Sequence, residues 1–150
     1  MSERYAYILL SNEKWWNRLC NQKRSRKASH AFVRKGTVGP KKTELILFYV
    51  TYPFKEIRGS GEFVERVVGS AGNLWKDYGQ ETCIKSFKEY LAFLQGRTSI
   101  TFIRFKNLHV SDTSISMNDI SRVTGINRMP RSGRYINKET TQKLLKVFFA

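Results

Sequence analysis

No unbroken apolar run in the chain is longer than Leu45-Ile46-Leu47-Phe48-Tyr49-Val50. That run is far shorter than the ~20 residues that cross a bilayer as a helix. Strand side chains alternate between two faces, so a run that is apolar at every position must be covered on both. Leu45 to Thr51 therefore reads as the central strand of a sheet, ended by Tyr52-Pro53.

Around it the pattern alternates between periods of two and of 3.6. Tyr5 to Leu10 reads as a short buried strand. Glu13 to Cys20 follows as a helix with Ser11 or Asn12 as its cap, and Trp15, Trp16 and Leu19 at helical spacing. Ile57 to Val68 alternates as a strand that Gly59-Ser60-Gly61 bends. Residues 69–72 read as a loop of small residues. Thr82 is the expected cap of a helix over Ile84 to Gln95, with Gly96 as its stop. Ile84, Phe87, Leu91 and Leu94 would form its apolar face. Ser99 to Val110 reads as a strand whose alternation slips near Ile103. Met117 to Val123 reads as a short helix, and Asn137 as the cap of a last helix through Leu145. Strands interspersed with single helices, without strict strand–helix–strand repetition, give an α+β class. A small curved barrel or mixed sheet with three or four helices is expected, as one domain over residues 1–150.

Nothing in the chain reads as a membrane span or as the core of an export signal. Cys20 and Cys83 lie far apart without a Cys-x-x-Cys pair and read as reduced thiols, which points to the cytoplasm. Two cysteines and two isolated histidines, His30 and His109, make a poor metal set, so no metal is expected. There is no Gly-x-x-x-x-Gly-Lys-Ser/Thr loop and no Gly-x-Ser-x-Gly elbow, and no cofactor is expected.

Charge narrows the partner. Lys plus Arg number 27 against 12 Asp plus Glu, a net charge of +15. From Lys14 to Thr43 there are ten basic residues (Lys14, Arg18, Lys23, Arg24, Arg26, Lys27, Arg34, Lys35, Lys41, Lys42) and no acid. Arg122, Arg128, Arg131, Arg134 and Lys138 form a second group, again without an acid between them. Such stretches suit a polyanion, because each neutralised phosphate releases a counterion. A membrane surface fits less well, since no basic amphipathic helix with an apolar face is evident.

The order of pieces resembles the PUA-like superfamily, the group of PUA, ASCH, EVE and YTH domains. Tyr7-Ile8-Leu9-Leu10 with Lys14-Trp15-Trp16 looks like the opening strand and Trp-containing segment of EVE-like domains. Gly36 followed by Leu45 to Val50 is similar to their strand ending in Phe-Tyr. Ile57-Arg58-Gly59-Ser60-Gly61-Glu62-Phe63-Val64 resembles the next strand. Leu74-Trp75-Lys76-Asp77-Tyr78-Gly79, the helix through Tyr90 and the strand from Ile100 to Val110 also fit. The likeness runs over roughly residues 5 to 145 and points to an archaeal-type family of the group rather than to EVE itself. The ASCH signature Gly-x-Lys-x-x-Glu-x-Arg is matched by Gly39-Pro40-Lys41-Lys42-Thr43-Glu44-Leu45-Ile46 up to its last position, where Ile46 replaces Arg.

The resemblance implies a PUA-like fold and a module that binds nucleic acid, RNA before DNA, with a base (modified or not) in an aromatic-lined pocket. The residues name candidate readers. Trp15 and Trp16 are adjacent on a helix, so one is expected inside and the other free to stack on a base. Trp75 and Tyr78 suit either stacking or a hydrophobic plug. Lys14, Arg18, Lys23, Arg24, Arg26, Lys27, Arg34 and Lys35 would meet phosphates, as would Arg128, Arg131 and Arg134. The alternative is an ASCH-like hydrolase acting on a modified nucleoside or RNA through Lys41, Thr43 and Glu44. That requires the three side chains to converge on one concave pocket.

Overall fold

The computed structural model describes residues 4–22, 25 and 27–148. A six-stranded mixed sheet runs through it. Its strands are β1 (Ala6–Ser11), β2 (His30–Lys35), β3 (Leu45–Val50), β4 (Glu56–Ser70), β5 (Ser99–Ser116) and β6 (Arg134–Ile136), in the spatial order β2-β5-β4-β3-β1-β6. β1 and β3 are parallel, pairing Ala6 with Leu45 through to Ser11 with Val50. The other neighbours are antiparallel. The described residues also form α1 (Glu13–Cys20), α2 (Ala71–Tyr78), α3 (Phe87–Leu94), α4 (Met117–Thr124) and α5 (Lys138–Phe148), with a 3-10 turn over Gly79–Glu81.

β3 is covered on both faces, as its sequence requires. Leu47 and Tyr49 join Ile8, Ile57, Ile115, Ile120 and Leu144 on one side, beneath α4 and α5. Ile46, Phe48 and Val50 join Leu9, Trp16 and Phe105 on the other, beneath α1. Each such side chain contributes about 1.5–3 kcal/mol when fully buried. A third cluster sits where α2 and α3 cover the β2–β5 end of the sheet, with Leu74, Tyr90, Leu94, Ile100 and Phe102 inside.

The expected curved sheet is therefore a mixed sheet left open between β2 and β6. Side chains span the gap between those edges. The guanidinium of Arg34 on β2 donates to the carbonyls of Arg131 and Ser132, at 3.4 and 3.5 Å, just before β6. β4 and β5 are long and bend through three register shifts, one of them at Phe63/Glu65 opposite Phe105/Arg104, near the slip read from the sequence. At Gly59 an added Cβ would lie 2.5 Å from the His109 carbonyl oxygen and 2.6 Å from Cη2 of Trp16. Glycine is required there because the Trp16 ring lies against the strand backbone.

Local signals place most helix starts. The Asn12 side chain accepts from the N–H of Trp15 at 2.9 Å, and that of Asn137 from Thr140 at 2.8 Å. Two starts differ from expectation. Ser70 caps α2, its hydroxyl accepting from Asn73 at 3.4 Å, so a helix begins inside the stretch that reads as a loop. Ser86 caps α3, accepting from Glu89 at 3.1 Å. Thr82 instead closes a local turn, donating to the Gly79 carbonyl at 2.8 Å. The buried face differs as well: Tyr90 and Leu94 point inward, while Phe87 and Leu91 are exposed.

Candidate nucleic-acid interface

The site grows from the first turn of α1. Its Asn12 cap fixes where the two tryptophans leave the backbone, and consecutive helical residues point about 100° apart. Trp16 enters the core. It is 2% exposed, with its ring 5.4 Å from that of Phe48. No face of it is open to a ligand, so its candidacy as a base reader is corrected to core packing. Trp15 is half-buried and forms one wall of a cavity of about 320 Å³. That volume falls within the range of small-molecule sites.

The other walls come from distant parts of the chain. Phe93 of α3 stands edge-on to Trp15 at 5.4 Å and 81°. Ala31 and Val33 of β2, Leu19 of α1, and Ile84 before α3 complete an apolar lining. The polar groups at its edge already carry protein partners. The Ser11 hydroxyl donates to the Asn12 carbonyl at 3.1 Å, and the Asn12 side chain caps α1. The Thr82 hydroxyl is held by Gly79 and accepts from the N–H of Ile84 at 3.2 Å. The cavity thus offers ring and aliphatic surface rather than a fixed donor–acceptor code.

Cations surround it. Lys14 Nζ and Arg18 Cζ each lie 4.9 Å from the Trp15 ring centre. Arg34 and Lys35 line the β2 side, with Lys35 Nζ 5.0 Å from the Phe93 ring and 3.1 Å from Oε1 of Gln95. Lys14 is exposed and sits on a flexible stem that can swing from the ring to a phosphate. Arg18 is committed: it makes paired hydrogen bonds to Glu89 at 2.6 and 2.9 Å and donates to the Cys83 carbonyl. It braces the Trp15 ring rather than facing a phosphate.

The Arg18 hydrogen bond, helped by the Lys85 backbone N–H, holds the Glu89 carboxyl down to about 2. A carboxyl depressed in the folded state stabilises fully above the ordinary carboxylate range of about 4.3 and loses that contribution as pH falls through its folded value. Glu89→Gln is therefore expected to lower the denaturation midpoint at neutral pH. The gap between variant and wild type should close between about pH 4.5 and pH 2, followed by urea titration at a series of pH values.

The second basic group reaches the same edge through the loop at Arg131 and Ser132. Arg128, Arg131 and Arg134 are exposed, and the carbonyls that Arg34 holds belong to Arg131 and Ser132. Lys27 is exposed in the segment before β2. Lys23, Arg24 and Arg26 lie outside the described residues. Trp75 and Tyr78 do not line the cavity. Trp75 stacks on Tyr90 at 4.6 Å, and Tyr78 lies under the Arg104 guanidinium at 4.5 Å. Of their two readings, the hydrophobic plug describes their surroundings.

Lys41, Thr43 and Glu44 are not part of the cavity wall. The buried Thr43 hydroxyl donates to the Tyr5 carbonyl at 2.8 Å, while Lys41 and Glu44 are exposed. Phe93 and Ile84, with Leu19, Ala31 and Val33, are wall residues that sequence reasoning missed as such. Ser86-Phe87-Lys88-Glu89, a Ser-x-x-Glu capping pattern, is the signal that would have placed the start of α3.

No protein-family model matches the chain, and no curated protein matches its sequence. Solved structures do match. The ASCH protein of Zymomonas mobilis superposes with a TM-score of 0.78 at 21% identity, over 96% of each chain. This chain has the fold of that ASCH protein. A Ser-to-Ala variant of the same Zymomonas mobilis protein gives a TM-score of 0.78 at 20% identity, over 97% of this chain and 98% of that one. A Rhodopseudomonas palustris protein solved by NMR gives 0.53 at 11% identity, over 97% and 93% of the two chains. No helix among the described residues of this ASCH-fold chain is long and apolar enough to cross a membrane.

Proposed function

We propose that this ASCH-fold chain binds single-stranded nucleic acid, RNA before DNA, and holds one base in the cavity beside Trp15. Lys14, Arg34 and Lys35 meet the flanking phosphates, and Arg128, Arg131 and Arg134 extend the track along the β2–β6 edge. The observation that carries this reading is the cavity itself. An aromatic wall stands within an apolar lining, and three cations stand around it in a chain of net charge +15. Stacking needs no particular base edge, and the polar rim is already paired, so recognition by ring contact follows. A base carrying an added apolar group suits the same lining. The preference for RNA rests on the PUA-like resemblance.

Anisotropy of a labelled short RNA tests this across a salt series. Six phosphate contacts at about −0.7 each give an expected slope of about −4 in log affinity against log salt. Homopolymers of the four bases should bind within about tenfold of one another, as stacking is tolerant of sequence. Absence of binding at low salt, or binding of duplex DNA in preference to every single strand, would overturn the reading.

A further inference from the structure

Because β1 and β3 are parallel, their C-terminal ends leave the sheet together. Ser11 and Asn12, at the end of β1, belong to the cavity rim. Ser11 pairs with Val50, and its carbonyl accepts the N–H of Thr51 at 2.9 Å. The β3–β4 turn over residues 51–55 therefore starts one strand away from the cavity, and adjacent strands lie about 4.8 Å apart.

This turn carries two outward rings. Tyr52 is 79% exposed and Phe54 is 37% exposed. Each has its own cation: Lys55 Nζ is 5.9 Å from the Tyr52 ring centre, and Arg58 Cζ is 4.1 Å from that of Phe54. The backbone beneath them is tethered. The N–H groups of Phe54 and Lys55 donate to the Thr51 carbonyl at 3.2 and 3.5 Å, and the Lys55 carbonyl accepts from Met117 at 3.0 Å. Arg58 is bound by Glu56 at 2.6 Å, and Glu56 accepts from the Ser114 hydroxyl at 2.9 Å. One exposed tyrosine is ordinary. Two rings, each beside a cation, on an anchored turn next to an aromatic cavity are the components of a stacking platform for a polyanionic strand.

We propose that Tyr52, with Phe54 beside it, stacks on a second unpaired base of the strand whose first base occupies the cavity, and that Lys55 meets a phosphate between them. This rests on the reading of the cavity as a base site. Two probes separate the two claims: adenosine monophosphate, which fills only the cavity, and a short single-stranded RNA, which reaches both. Tyr52→Ala is expected to weaken the RNA about tenfold and to leave adenosine monophosphate unchanged, while Tyr52→Phe, which keeps the ring, stays within about twofold of wild type on both. Wild-type RNA affinity in Tyr52→Ala, together with a Trp15→Ala variant weakened on both probes, would overturn the platform and leave the cavity reading standing. Equal weakening of both probes by Tyr52→Ala would also overturn the platform. A wild-type protein that binds neither probe would overturn both claims.

Discussion

Trp16→Ala is expected to cost the fold about 3–5 kcal/mol, the range for deleting a fully buried large aromatic side chain. That is a large part of the roughly 5–15 kcal/mol that separates folded from unfolded domains. The loss is twofold. Transfer energy disappears with the ring, and the slot that Gly59 opens for it in β4 becomes a cavity bounded by strand backbone, which collapses poorly. Phe48 and Phe105, which pack in the same cluster, lose part of their contact surface as well. Urea unfolding followed by far-ultraviolet circular dichroism should show a large drop in midpoint with little change in slope. A midpoint within experimental error of wild type would show that the ring is not a structural member.

The neighbouring residue should behave in the opposite way. Trp15 is half-buried, makes an edge contact with Phe93 and carries two cations near its ring. Trp15→Ala removes one cavity wall but little of the sheet core, so a stability cost on the order of 1 kcal/mol is expected. Affinity for single strands should fall by about ten- to a hundredfold, the worth of one stacked base. Trp15→Phe should keep most of the affinity, because it keeps a ring face. The pair of variants thus separates two residues that are adjacent in sequence and alike in chemistry. Loss of binding in Trp15→Phe as severe as in Trp15→Ala would mean that the indole is recognised for something other than its face.

Much of this architecture is legible in local chemistry. β3 announces itself by being apolar at every position, and its flanking clusters follow from simple alternation. Asn12 and Asn137 are cap residues whose side chains do what their sequence setting implies. The division of labour between Trp15 and Trp16 follows from helix geometry before any coordinates are known, though which of them faces inward does not. β2 was hidden because its last two residues, Arg34 and Lys35, merge with the surrounding run of positive charge and leave only Ala31 to Val33 as a visible apolar stretch. β6 has only three residues, and its pairing with β1 is a contact between opposite ends of the chain. The cavity was illegible for the same reason: its walls come from α1, β2, the segment before α3 and α3 itself, and no local pattern records their convergence. The face of α3 was misread because Phe87 and Leu91 repeat at helical spacing just as Tyr90 and Leu94 do, and only the fold shows which pair meets the sheet.

The entry of a base beside Trp15 is tested most directly by tryptophan emission during titration with a short single-stranded RNA, in wild type and in Trp15→Phe. Trp16 is buried and Trp75 is stacked on Tyr90, so Trp15 is the indole that a base held in the cavity would reach. Quenching that saturates with binding in wild type, and is largely absent in a Trp15→Phe protein that still binds by anisotropy, is the expected result. Equal quenching in the two proteins, or RNA binding that leaves wild-type emission unchanged, would contradict it.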